Sequence, residues 1–169
     1  MRKINKAGLA IIKKWEGIED GNPKTVNLDP YLCPAKVWTI GWGHAITYNG
    51  RHLTTWNDPS GDIARNIYPG GITKEEAEGL LIADTSSVAI QIEKAVKINL
   101  TDNQFSALVS FTYNVGIGNL LKSTLLRKIN ARQLHEAVRE FPKWRKANGK
   151  ILHGLEMRRC DEKRLFIKL

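Results

Sequence analysis

Cysteine is scarce in this chain: Cys33 and Cys160 are the only two, and they share no C-x-x-C spacing. That excludes a disulfide-framed secreted scaffold and a zinc ribbon, which need several closely spaced thiols. The four histidines, His44, His52, His135 and His153, make no H-E-x-x-H pattern, so a zinc-protease helix is excluded too. No metal and no cofactor are expected. Long apolar runs are also missing, and none approaches the roughly 20 residues that span a bilayer. The apolar patch 9-LAII-12 behind the basic tip is too short for an export-signal core, and no small-residue cleavage site follows it. The N-terminal stretch therefore reads as a mature helix, without an export signal and without stable membrane insertion. Repeats, low-complexity tracts and linkers are absent, so residues 1–169 read as one domain. Acidic residues are outnumbered, 17 against 26 Lys and Arg, for a net charge of +9. A charge of that size attracts polyanions: nucleic acid, anionic lipid or acidic wall polymer. No groove-reading or base-stacking motif accompanies it, which argues against nucleic acid.

The remaining composition, 42% hydrophobic and 25% charged, is that of an ordinary globular domain. Ile4, Gly8, Ile11, Ile12 and Trp15 recur at three- and four-residue steps, which predicts an amphipathic helix over 4–16. Asn5 is its expected cap and Gly17 its expected stop. From about 18 to 71 the texture changes to Gly, Asn, Pro and Asp punctuation with short β-favouring runs. There 37-VWTIGWG-43 reads as a strand and 46-ITYNGRHLT-54 as a hairpin turning on Asn49-Gly50. From about 73 to 169 the chain reads as helical. Thr73 with Glu76, and Thr101 with Gln104, have the spacing of capping boxes. Shorter helices are expected around 118–130 and 131–147, and a last one over 155–169. The fold class is α+β: an N-terminal helix, a small β-rich lobe and a larger helical lobe, with a cleft expected where the lobes meet.

Chemistry concentrates in 33-CPAKVWTIGWGHA-45, seventeen residues after Glu16. Glu16 falls at the C-terminal end of the first helix, where the dipole disfavours negative charge. Thr39 lies on the strand that carries Gly41 and Gly43, and glycine within a strand marks a close approach to the backbone. Trp38 and Trp42 are expected to pack mainly in the core. Asp84 sits within an apolar helix face, where a carboxylate needs a partner. Arg158 and Arg159 read as a solvated basic face.

The order Glu16-Gly17, then 31-YLCPA-35, then 38-WTIGWGH-44 resembles the active-site signature of the bacteriophage-type lysozymes, the endolysins of glycoside hydrolase family 24. The runs 105-FSALVSFTYNVGIG-118 and 154-GLEMRRCDE-162 resemble two further blocks of that family, in the same order, so the likeness covers nearly the whole chain. It implies a lysozyme-like fold. It also implies Glu16 as the catalytic acid, Cys33 in a place held by Asp or Cys, and Thr39 in the Thr place. His44, Tyr113, Asn114 and Gly116 are the candidate substrate-binding residues. His44 reads more as a structural anchor than as a base, and a helix end capped by Gly116 alone accounts for Asn-x-Gly. An ion pair of His44 with Asp84 would resemble a lobe-to-helix pairing in the family. Two departures stand out. About eight residues are inserted between Glu16 and Cys33, around 20-DGNPKTVN-27, and Lys36 stands where a glycine is usual.

The implied reaction is hydrolysis of the β-1,4 bond between N-acetylmuramic acid and N-acetylglucosamine in peptidoglycan, lysing the host cell. Such cleavage needs a proton for the leaving oxygen and support for an oxocarbenium-like centre. Cys33 is a weaker base than a carboxylate, so Thr39 and Cys33 are expected to position a water while Glu16 supplies the proton. Two alternatives stay open: a lytic transglycosylase using Glu16 alone, and a cationic membrane-disrupting protein using 155–169 as a basic amphipathic helix. The expected partner is peptidoglycan. A monomer is expected in the host cytoplasm, reaching the wall through a membrane hole made by a separate protein.

Overall fold

The computed structural model describes residues 2–147 and 149–168. The chain divides into two compact units, Glu16–Asp84 and Met1–Trp15 with Thr85–Leu169. The divisions fall at the end of helix α1 (Lys6–Glu16) and within helix α3 (Lys74–Ala95).

The unit Glu16–Asp84 is built from short antiparallel pairs. Strands β1 (Tyr31–Leu32), β2 (Trp38–Ile40) and β3 (His44–Ala45) form one sheet in that order. Tyr31 faces Thr39, Thr39 faces Ala45 and Ile40 faces His44. A second hairpin joins β4 (Thr47–Tyr48) to β5 (Arg51–His52). Its turn is the expected Asn49-Gly50, at φ 49° and 73°, because positive φ at both central residues matches the twist of the flanking strands. The expected strand 37–43 is shorter than the sequence suggests. It stops at Ile40, because Gly41 and Gly43 take φ 60° and 82° in the turn to β3. Gly41 also meets a neighbour: a β-carbon there would lie 2.8 Å from that of Ala77. Trp38, Ile40, Ile46, Leu53, Ala64, Ile72 and Ala77 form the buried core of this unit. The indole Nε1 of Trp38 donates to the Asp58 carbonyl at 2.7 Å, so the ring packs in the core with its polar edge satisfied. Asp58 in turn caps helix α2 (Asp62–Ile67), its carboxylate accepting from the N–H groups of Ile63 and Ala64. The Thr73–Glu76 box closes as expected at the start of α3.

In the other unit α1 begins at its expected cap, where Asn5 Oδ1 accepts from Gly8 N at 2.9 Å. Helix α4 (Asp102–Val115) starts on the complete Thr101–Gln104 box. It packs against α8 (His153–Ile167) around Phe105, Leu108, Phe111, Phe141 and Phe166. Helices α5 (Ile117–Lys122) and α6 (Thr124–Asn130) fall in the segment expected to be helical. The segment 131–147 departs from its expectation. Helix α7 covers only Leu134–Val138, a 3-10 turn spans Phe141–Lys143, and the chain then enters the hairpin β6 (Lys146–Ala147) and β7 (Lys150–Ile151). Pro142 lacks the N–H and the space that a continuous helix requires.

The expectation for Arg158 and Arg159 is also corrected: both are buried, 2% and 0% exposed. Their guanidiniums lie on Glu162, itself fully buried, with Arg158 Nε 3.2 Å from Oε1 and Arg159 Nε 3.0 Å from Oε2. Ser110 Oγ donates to the same carboxylate at 2.9 Å, and Arg159 stacks 4.9 Å over the Phe111 ring. The sequence spacing alone reads as a wetted basic face. Burial is tolerated because one carboxylate three and four residues on serves both guanidiniums.

Candidate active site

The sheet β1–β3 sorts its side chains by the two-residue period of a strand. Leu32, Trp38, Ile40 and Ile46 go to the core side. Tyr31, Cys33, Val37, Thr39, Gly43 and Ala45 go to the other, where they line a cavity of about 390 Å³. Glu16, Glu19, Pro34 and His52 complete the lining. Glu16, Cys33 and Thr39 are therefore brought together.

Each is held by local chemistry. Glu16 is the last residue of α1 and half-buried, and Gly17 at φ 70° turns the chain out of the helix. Cys33 opens the turn between β1 and β2. Its N–H donates to Val37 O at 3.0 Å, and its carbonyl accepts from Lys36 N at 2.8 Å. That is a type I turn with Pro34 at its second position, closed by one left-handed residue in a bulge. The left-handed residue is Lys36, at φ 63°, the position where a glycine is usual in the resembling family. Thr39 is 3% exposed, and its hydroxyl donates to Val37 O at 3.0 Å. Its oxygen lone pairs stay available to a water or a sugar hydroxyl.

The Tyr31 phenol is pushed up to about 12, by burial first and then by the charges of Glu19, Cys33 and Glu16. Glu19, Tyr31 and His52 are lining residues that sequence reasoning missed. Tyr31 was legible in principle: it stands one strand period before Cys33 and opposite Thr39. Glu19 and His52 gave no signal beyond residue type. Asp29, four residues before Cys33, does not line the cavity; its carboxylate accepts from Thr25 Oγ1, and its N–H donates to Asp20.

His44 lies on the opposite side of the sheet from Thr39, in register with Ile40. Its Nδ1 is 2.9 Å from Asp84 Oδ2, and both side chains are only partly buried, so Asp84 stands in wetter surroundings than its apolar sequence neighbours suggest. Tyr113, Asn114 and Gly116 belong to the other unit. Tyr113 is half-buried near the end of α4, and Gly116, at φ 85° and ψ 147°, ends α4 and caps α5 in a conformation essentially confined to glycine. Asn114 lines a second cavity, of about 410 Å³, with Asn119, Trp144 and Lys146 among its walls. Arg159 Nη2 donates to Asn114 Oδ1 at 2.8 Å, leaving the Asn114 NH₂ as a donor. A third recess, lined by Ala7, Ala10, Ile11 and Leu165, is mostly apolar. Among the described residues its one carboxylate, Asp161, is tied to Lys14 and Trp15. Among the described residues no cluster of three or more His, Cys, Asp or Glu could hold a metal ion, and no helix is long and apolar enough to cross a membrane.

A helix-end glutamate, a turn-held thiol and a strand threonine thus meet on one cavity. Residues 13–162 match the family described as phage lysozyme, and the chain belongs to that family. It is 36% identical over 165 residues to an endolysin of Bacillus phage B103, covering 97% of this chain and 54% of that protein. An endolysin of Acyrthosiphon pisum secondary endosymbiont phage 1 is 37% identical over 167 residues, covering 96% of this chain and 97% of the relative. Among solved structures, the muramidase domain of SpmX from Asticaccaulis excentricus superposes with a TM-score of 0.75 at 31% identity, all of both chains covered. The α+β lysozyme fold expected from sequence is the fold found. This chain spans about half the length of the Bacillus phage endolysins it matches.

Proposed function

We propose that this protein is a muramidase of the endolysin type, hydrolysing the β-1,4 bond between N-acetylmuramic acid and N-acetylglucosamine in bacterial peptidoglycan. The observation that carries the reading is the convergence of Glu16, Cys33 and Thr39 on one cavity. The relatives named endolysin and the neighbouring muramidase domain support it. Glu16, at the negative end of the α1 dipole, gives its proton to the glycosidic oxygen as the bond to the anomeric carbon breaks. Thr39 and Cys33 hold the water that attacks that carbon. The water's proton needs a carboxylate, and Glu19 places one in the same cavity. That second carboxylate removes the main reason for preferring a transglycosylase, which would work with Glu16 alone. His44 acts by tying β3 to α3 through Asp84. Asn114 offers an amide donor suited to an acetamido carbonyl.

The protein acts on the bacterial wall, and until lysis it resides in the host cytoplasm, where a separate protein opens the membrane for it. The test is clearing of outer-membrane-permeabilised cells by wild type and Glu16→Gln. Glu16→Gln loses about 10²- to 10⁴-fold of the rate, the scale of a general acid. The products carry ordinary reducing ends. Undiminished clearing by Glu16→Gln defeats the muramidase reading, and anhydro-sugar ends convert it to the transglycosylase. Wild-type chain expressed alone inside intact cells leaves them unlysed; lysis without any other phage protein defeats the cytoplasmic part.

A further inference from the structure

Trp56 is 93% exposed, although indole is among the costliest side chains to leave in water. A lone exposed apolar residue needs no explanation by itself. What sets Trp56 apart is how firmly its backbone is held and to what. Asp58 N donates to Thr54 O at 2.8 Å and Asn57 N to the same carbonyl at 3.2 Å. The Asn57 side chain accepts from Thr54 N at 2.6 Å and donates to His52 O at 2.9 Å. On the other flank, Thr55 N donates to Lys36 O at 3.3 Å, and Thr54 bridges Val37. His52 and Val37 both line the Glu16 cavity. Trp56 is thus fixed, through the residues on either side of it, to two points on that cavity's rim. All of these residues lie within the one unit Glu16–Asp84.

We propose that Trp56 is a stacking platform for a sugar ring of the glycan strand that leaves the cavity over the His52–Val37 rim. The inference rests on the muramidase reading and extends it to the binding of substrate beyond the bond that is cut. A cavity of about 390 Å³ is at the small end for a drug-sized ligand, so a polymer must run on past it. The C–H face of a pyranose is apolar and flat enough to lie on indole. The backbone under the ring is already held, so binding has only the two side-chain torsions of Trp56 left to order.

The experiment compares wild type, Trp56→Ala and Trp56→Phe on purified glycan strands stripped of stem peptides. For Trp56→Ala, KM rises about two- to tenfold, the scale of one aromatic contact. Its kcat stays within about twofold of wild type on the same scale, and its melting temperature is unchanged because the ring is exposed. Trp56→Phe recovers part of the loss. In the inactive Glu16→Gln background, titration with the same strands shifts tryptophan fluorescence, and Trp56→Ala removes that shift. An unchanged KM together with an unchanged titration in Trp56→Ala overturns the platform and leaves the muramidase reading intact. A defect seen only on walls that keep their peptides also overturns it, since the partner would then be peptide. Full activity in Glu16→Gln instead sinks the muramidase reading, whatever Trp56 does.

Discussion

Lys36→Gly raises the stability of the turn that carries Cys33 and Thr39. Lys36 sits at φ 63°, and an L-residue held in that left-handed region costs roughly 1–2 kcal/mol, because its β-carbon crowds the following carbonyl. Glycine removes that cost but adds freedom to the unfolded chain, worth about 0.5–1 kcal/mol in the opposite direction. The net gain is about 0.5–1 kcal/mol. The Lys36 side chain is exposed, so little packing is lost, and its N–H to Cys33 O and its carbonyl to Thr55 N are both kept. For a chain of 169 residues, 1 kcal/mol moves the melting temperature by about 2–4 °C, which puts the expected rise at about 1–4 °C. Thermal unfolding followed by circular dichroism reads this directly. Lys36→Ala is the control: it deletes the same side chain but keeps the β-carbon, so its melting temperature stays at the wild-type value. A fall in Lys36→Gly, or an equal rise in both variants, refutes the backbone argument.

Glu19→Gln lowers the Tyr31 phenol from about 12 while burial keeps it above its ordinary value of 10, as an ultraviolet absorbance titration will register. A phenol raised on folding stabilises the protein fully below pH 10, and that share is lost as pH rises through about 12; alkaline denaturation of wild type and Tyr31→Phe compares the two. A Tyr31 titration indifferent to residue 19 means that the Glu19 carboxylate is not in the cavity. Arg159→Met leaves part of the Glu162 charge uncompensated in the core and destabilises the fold by about 3–5 kcal/mol in urea unfolding. Arg159→Met with Glu162→Leu recovers some of that loss. A loss below about 1 kcal/mol from Arg159→Met, the level of an exposed pair, contradicts the buried network.

Features set by neighbours in the chain were legible before any coordinates. Asn49-Gly50, the two capping boxes, the Asn5 cap and the Gly17 stop all stand where spacing puts them, because each involves groups no more than four residues apart. Expectations slipped where a short-range preference met a competing constraint. The strand through Thr39 lost its last three residues to the glycine turn, and the helix expected over 131–147 broke at Pro142 into a 3-10 turn and a hairpin. Arg158 and Arg159 were misread because a charge pattern along a helix says nothing of which face is covered.

The order of Glu16, Cys33 and Thr39 singled out three residues that share one cavity, and strand alternation explains why Cys33 and Thr39 emerge on one side of the sheet. Local spacing determined the caps, the turns and the two-residue rhythm, since those depend on bonds and on hydrogen bonds of short reach. Only the tertiary structure decided that Glu19, Tyr31 and His52 share the cavity, that His44 turns to Asp84, and that two arginines are buried on Glu162. Those outcomes depend on which distant segments exclude water from one another, and burial of that kind is a property of the folded surface rather than of any short window of residues.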